Sequence, residues 1–328
     1  MTDHKLKNLA YYRTGGTCKI LFLPKNILEL QNAIKQIERD KLPYFYLGAG
    51  SNSLVMDTPW PGAVISFAKM RAISVRGNTL VCEAGLENSE VAKTAQLNLL
   101  SGAEWMYRLP GQIGGTVRMN ARCYGGEIST IVRKIYTVDS KGALHEFYSD
   151  PKNKNVFRGY KDTIFMDSDY AIAKVEIDLV RNEFSEEILN AMLFCENDRL
   201  SKHQFDYPTC GCIFKNNYAN EVSISSGFLL EQAGAKGLSV GNAHVNPYHC
   251  NFVYNKGANS QDILELSLKM RELVWREFGV WLEYEMELLG RIPQELKLKI
   301  EEKRDPNYQT EKLSKVRQLF QIKKKRSS

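Results

Sequence analysis

The sequence predicts a protein of the α/β or α+β class, and three observations carry that prediction. Strand-like and helix-like apolar periods alternate through the first 200 residues. In the segment AIAKVEIDLV, Ala173, Val175, Ile177 and Leu179 alternate with Lys174, Glu176 and Asp178, the period of a half-buried strand. Two glycine-rich stretches interrupt the periodic segments where turns are needed.

The elements follow in order. YYRTGGTCKILFL gives a glycine turn and then an apolar strand. Asn26 with Glu29 resembles a capping box, and Ile27, Leu30, Ile34 and Ile37 recur at helical spacing, so a helix is expected to end before Pro43. Tyr44 to Leu47 is a strand that delivers the first glycine stretch. Short strands are expected at Ala63 to Ser66, Ala72 to Val75 and Leu80 to Glu83, and a helix from Ser89 to Leu99. Further strands are expected at Lys134 to Val138 and Ala143 to Tyr148, and Ser185 caps a helix to about Leu200. Beyond Lys202, SSGFLLEQAGAKG reads as a short helix stopped at Gly234. Ser260 caps a long amphipathic helix with Gly279 at its C′ position, and VWLEYEMELLG reads as the closing strand.

Composition narrows the classes. The chain of 328 residues is long enough for two domains. Its net charge of +6 is local: from Arg291 onward there are 12 Lys/Arg against 5 Asp/Glu, which leaves 32 against 33 in the remaining 290 residues. The body is near neutral, so no nucleic-acid partner is expected, and Lys323 to Arg326 reads as a solvated end or a contact for an acidic surface. No run of eighteen apolar residues and no apolar leader occur, so neither membrane insertion nor secretion is expected. Seven cysteines without a CxxC pair point to reduced thiols and a cytoplasmic location, and no metal site is expected.

The glycine stretches suggest the ligand. YLGAGSNSLV spans Tyr46 to Val55; LPGQIGGTVRMNARCYGGEI spans Leu109 to Ile128 and holds glycines at 111, 114, 115, 125 and 126. Glycine lets backbone approach a bulky ligand, and successive amides in such turns form concavities for anions. Two such loops in one chain suggest a ligand with a diphosphate; read singly, each is equally a tight turn. Neither has the GxGxxG spacing of a nicotinamide-binding Rossmann unit.

Taken in order, LGAGSN (47–52), LPGQIGGTVRMNA (109–121) with YGGEI, CGCIFKN (210–216) with LLEQAGAKG (229–237), and FGVWLEYE (278–285) resemble the UDP-N-acetylenolpyruvoylglucosamine reductase family, from about Tyr12 to Gly290. The short interval between Tyr160 and Cys210 is similar to the family's shorter type, which lacks a substrate-capping loop. The resemblance implies an α+β protein. Residues 1–184 would form a two-subdomain FAD-binding region (PCMH, vanillyl-alcohol-oxidase-like) and 185–290 a C-terminal α+β substrate-binding domain. The remainder, 291–328, would be a basic helical or partly disordered tail. It further implies FAD as cofactor, NADPH as donor, a small-molecule acceptor (UDP-N-acetylglucosamine enolpyruvate) and a monomer.

Residue by residue, the resemblance places FAD against Gly48, Ala49, Gly50, Ser51, Asn52, Ser53, Pro110, Gly111, Gly114, Gly115, Thr116, Asn120 and Ala121. In the family, reduced flavin passes a hydride from N5 to the vinyl carbon, and an enolate-like charge then needs a cation, a polar group and a proton donor. The proton donor falls on Cys212, where serine is usual; with a reference pKa of about 8.5, a thiol is a better acid than an alcohol. Glu285 matches the assisting carboxyl group, with Glu283 as the alternative on the same strand face. Lys161 in GYKDTIF stands where the family has arginine, which keeps the charge but loses the planar fork. Tyr160, Lys215, Asn216 and Gln232 are the expected substrate contacts. Arg122, Cys123 and Asn217 also depart from the pattern, Arg122 adding bulk and charge near the flavin. Two other readings stay open: a catalytically impaired flavin-binding homologue, and an FAD oxidoreductase of the same fold with another acceptor.

Overall fold

The structure, a computed structural model, describes residues 4–150, 155–216 and 223–327; Asn217 lies outside these. The chain forms two compact units. The first holds Thr17–Ser51 and Trp60–Ser201, with the strand His4–Lys5; the second holds Leu6–Gly16, Asn52–Pro59 and the chain from Lys202 onward. The helix Ser185–Ser201 therefore belongs to the first unit.

The first unit is built on two sheets. Thr17–Phe22 and Tyr44–Leu47 flank Trp60–Ser66 in parallel, with His4–Lys5 added antiparallel at the edge. Parallel strands need a crossover, and the helix Ile27–Arg39 supplies the one that joins the two flanking strands, Thr17–Phe22 and Tyr44–Leu47. That helix starts where Asn26 Oδ1 accepts the Glu29 amide at 2.9 Å, while the Glu29 carboxylate accepts the Lys25 amide at 2.9 Å. Its apolar face, Leu30, Ala33, Ile34 and Ile37, is buried. The second sheet is antiparallel, in the order Leu144–Tyr148, Val132–Val138, Ala171–Asp178, Thr79–Glu83, Ile73–Arg76. In its central strand Ala171, Ala173, Val175 and Ile177 are buried, as the alternation predicts. Two sheets of opposite type, each carrying helices, make this an α+β unit.

The second unit packs around the helix Ser260–Phe278, whose Ile263, Leu264, Met270, Val274 and Phe278 are buried. Gly279 ends it at φ +65 as expected. The cap lies one residue earlier than predicted: Asn259 Oδ1 accepts the Asp262 amide at 2.8 Å, and Ser260 Oγ instead accepts the Asp57 amide at 2.9 Å. The short helix Ser226–Gln232 is capped by Ser225, and Gly234 follows it at φ +86. The expected closing strand is mostly irregular: Tyr284 makes a single bridge to Phe214, and only Glu287–Leu289 forms a strand, parallel to Ser53–Val55. The basic tail folds into two helices, Gln294–Glu301 and Thr310–Ser327. It is seated rather than wholly solvated: Leu296, Leu313 and Val316 are buried, Arg271 donates to the Ile300 carbonyl at 3.0 Å, and Lys323 pairs with Glu231 at 3.0 Å. No helix among the described residues is long and apolar enough to cross a membrane.

Candidate active site

In the first unit the two glycine stretches meet. A Cβ on Gly111 would lie 2.9 Å from Ser51 Oγ, and one on Gly48 would lie 3.4 Å from Gln112 Oε1. Gly48 to Ser51 form the turn after Tyr44–Leu47, with Gly50 at φ +63. Among the described residues no backbone acceptor takes the amides of Gly48, Ala49, Gly50 or Ser51. Pro110 and Gly111 (φ +133) lead into the short helix Ile113–Arg118, which carries Gly114, Gly115 and Thr116.

The glycines of the second stretch divide by role. A Cβ on Gly114 would lie 2.8 Å from Ala84 Cβ, so Gly114 lets the helix sit on the strand end. The Gly114 amide donates to Ala84 O at 2.9 Å, and the Ile113 amide to Leu86 O at 2.9 Å. Gly115 has nothing within 4 Å of its Cβ position. Gly126 lies against Trp105, whose Cδ1 would be 2.1 Å from a Cβ. Thr116 points inward, its hydroxyl donating to Asn88 Oδ1 at 2.8 Å.

Asn120, at φ +44 and buried, ties this stretch to the hairpin that carries Lys161. Its Nδ2 donates to Glu127 Oε1 at 2.8 Å and to Gly159 O at 2.9 Å. Thr163 Oγ1 donates to Arg118 O at 2.5 Å from the other side. Ala121 continues the fastening, its amide donating to Thr116 O at 3.0 Å. The hairpin pairs Phe157 with Thr163 and Gly159 with Asp162, which leaves Tyr160 and Lys161 at its tip with Lys161 at φ +53. Lys161 is 9% exposed. Burial pushes the Cys123 thiol up to about 11, against the opposing pull of Arg199 and, less strongly, Lys161. Arg158 is committed elsewhere: it bonds Asp162 at 2.6 Å, Asp167, and the Thr163 carbonyl at 2.9 Å. Arg122 stacks on the Tyr160 ring, 4.0 Å from its centroid.

In the second unit Cys212, Lys215 and Glu285 lie on neighbouring extended segments. The Glu285 amide donates to Ile213 O at 2.9 Å and the Lys215 amide to Glu283 O at 2.8 Å. Cys212 bridges to Phe252, and Phe214 to Tyr284. Both Cys212 and Glu285 are half-buried, whereas the Glu283 side chain is 74% exposed and 3.9 Å from Lys215 Nζ. Burial first, then the proximity of Cys212, pushes the Cys210 thiol well up, with Glu285 adding to the rise. Asn52 holds the Glu285 backbone, Nδ2 donating to its carbonyl at 2.8 Å, and accepts the Glu287 amide at 2.9 Å; Ser53 opens the strand paired with Glu287–Leu289. Asn216 Oδ1 accepts the Ser226 amide at 3.0 Å. Gln232 is exposed at the end of its helix.

Three positioning residues carry no individual signal in the sequence, although one lies within a quoted motif. Asn88, buried, receives Thr116 and donates its amide to Gly111 O at 3.1 Å. Glu127 sits inside the quoted YGGEI and accepts both Asn120 and Ser129. Asn251, fully buried, clamps Phe214 by accepting its amide at 3.0 Å and donating to its carbonyl at 2.8 Å.

Whether these residues suit a flavin dinucleotide is tested by the polar atoms left over. Asn120 Oδ1 and Gln112 Oε1 are buried without a hydrogen-bond partner. Buried acceptors are costly unless paired. Two acceptors beside open amides and an uncovered Gly115 fit a ligand that brings N–H groups and anionic oxygens, as FAD does. No group of His, Cys, Asp or Glu among the described residues could hold a metal.

Comparison with known proteins first fixes the class. Residues 18–148 match an FAD binding domain family. Residues 203–289 match the family described as UDP-N-acetylenolpyruvoylglucosamine reductase, C-terminal domain. The chain is thus an FAD-dependent oxidoreductase. A UDP-N-acetylenolpyruvoylglucosamine reductase of Borreliella burgdorferi is 37% identical over 295 residues, 87% of this chain and 93% of that protein. One from Clostridium perfringens is 32% identical over 290 residues, covering 88% and 92%. The crystal structure of the enzyme from Thermus caldophilus matches with a TM-score of 0.72 at 28% identity, over 87% of this chain and 97% of that one. The chain belongs to the UDP-N-acetylenolpyruvoylglucosamine reductase family.

Proposed function

We propose that the chain reduces UDP-N-acetylglucosamine enolpyruvate to UDP-N-acetylmuramate, with NADPH as donor, as a cytoplasmic monomer in peptidoglycan precursor synthesis. The observation that carries this reading is the Cys212–Glu285 pair on adjoining segments, bonded through Glu285 N to Ile213 O at 2.9 Å and sharing the surroundings of the Cys210 thiol. Gly48 to Ser53 and Pro110 to Ala121 would hold the diphosphate and ring of FAD, which would supply the hydride taken up by the terminal vinyl carbon. Lys161 stabilises the negative charge that develops beside the substrate carboxylate. Cys212 gives its thiol proton to the other alkene carbon, the one that bears the carboxylate, and recovers a proton from solvent, while Glu285 assists as a polar neighbour. Tyr160, Lys215, Asn216 and Gln232 contact the nucleotide sugar.

NADPH oxidation that depends on the enolpyruvyl acceptor, with product identified by mass, tests the reading. Cys212→Ala should retain FAD and lower kcat by about 10²- to 10⁴-fold, the usual size of a lost general acid; Cys212→Ser should retain part of the rate. Full activity in Cys212→Ala would remove Cys212 from its role. A wild-type protein that oxidises NADPH without responding to the acceptor would favour a different acceptor.

A further inference from the structure

Two hairpins stand side by side in the first unit. One is Tyr160–Lys161 at its tip; the other pairs Arg122–Cys123 with Gly126–Glu127. Asn120 links them, bonding Glu127 in one and Gly159 in the other. Arg122 holds an unusual place between them. Its guanidinium lies 4.0 Å from the Tyr160 ring centroid, and the Glu127 carboxylate approaches it only to 3.9 Å, too far for a hydrogen bond. Among the described residues its five N–H groups make no hydrogen bond.

Other arginines of the unit are spent internally. Arg158 bonds Asp162, Asp167 and Thr163, and Arg199 bonds the carbonyls of Tyr107, Cys195 and Trp105. Stacking on a ring fixes the plane of a guanidinium without using its donors. Arg122 is therefore a flat fork held open, 37% exposed, beside a lysine that is a point charge. A planar fork matches a carboxylate; an ammonium alone does not.

We propose that Arg122 is a substrate-binding residue that grips the carboxylate of the enolpyruvyl acceptor, next to Lys161. This rests on the reductase reading above. Holoenzyme is titrated calorimetrically with UDP-N-acetylmuramate, which carries the carboxylate, and with UDP-N-acetylglucosamine, which has the same diphosphate and lacks it. Arg122→Ala is expected to weaken the first by about 10- to 100-fold, the loss of a charge-assisted hydrogen-bond pair, and to leave the second unchanged, with flavin retained. Arg122→Lys should not recover the affinity, because geometry rather than charge is lost. Lys161→Arg in the Arg122→Ala background should recover it.

Equal weakening of both ligands would overturn the assignment in favour of a diphosphate contact. Loss of FAD would overturn it in favour of a cofactor contact. Unchanged binding of both would make Arg122 a spectator. A wild-type holoenzyme that binds neither nucleotide would overturn the reductase reading and this inference with it.

Discussion

The two glycine-rich stretches look alike on paper and are built for different tasks. Gly48 to Ser51 form an open turn whose amides have no backbone acceptor among the described residues. In the stretch from Leu109 to Ile128, Gly114 and Gly126 are small because Ala84 and Trp105 leave no room, whereas Gly115 and Gly125 are uncovered, Gly125 at φ +81. A glycine count therefore mixes two physical causes: access for a ligand and close packing of the protein on itself. Substitution separates them.

The largest effect is expected at Gly126. A Cβ there would meet the buried Trp105 ring at 2.1 Å. Gly126→Ala should cost about 3 kcal/mol of stability, at the upper end of overpacking, and lower Tm by roughly 6–12 °C for a unit of this size. An unchanged melting curve would mean the ring moves aside freely. Gly114→Ala, against Ala84 at 2.8 Å, should cost about 1–2 kcal/mol by the same mechanism, read as a shifted urea midpoint.

Gly115→Ala reverses the pattern. Nothing lies within 4 Å, and alanine gains up to about 1 kcal/mol of helix propensity over glycine. The protein should be as stable or more so, yet bind FAD more weakly, as measured by flavin fluorescence quenching. Unchanged FAD affinity would take Gly115 out of the cofactor contact.

The smallest expected effect is with pH. Cys123 lies in the second stretch, and its thiol is raised from 9.0 to about 11, chiefly by burial. The raised value means the folded protein keeps the proton that the unfolded chain loses. This contribution is present below about pH 9 and is lost as pH rises toward 11. Cys123→Ser should flatten the fall in urea midpoint across that window. Gly48 to Ser51 in the first stretch hold no titratable side chain and should contribute no such slope.

Much of the fold was legible because it rests on local chemistry. The Asn26–Glu29 cap, the alternation from Ala171 to Asp178 and the Gly279 stop depend on residues within a few positions of each other. What escaped depends on distant partners. Asn259 caps the long helix because Ser260 is occupied by Asp57, 203 positions away. The LEYE segment resembles a strand by alternation but makes a single bridge, Tyr284 to Phe214, flanked by the Glu285 N–Ile213 O and Lys215 N–Glu283 O bonds. The end from Lys323 reads as solvated or as an acidic contact in sequence because its partner, Glu231, lies on a distant helix; so does Arg271, which bonds the Ile300 carbonyl. In the candidate site the motifs named the segments, but neither the division of labour among the glycines nor the stacking of Arg122 on Tyr160 is written in spacing.

The central claim is that bound FAD links NADPH to an enolpyruvyl nucleotide sugar, and an anaerobic visible spectrum tests it most directly. NADPH is added first to the purified holoenzyme, then UDP-N-acetylglucosamine enolpyruvate. The account predicts an oxidised-flavin band that bleaches with NADPH and returns in full with the sugar nucleotide. A band that bleaches and stays bleached would contradict the proposed acceptor, and a protein that takes up no FAD would contradict the reading of both glycine stretches.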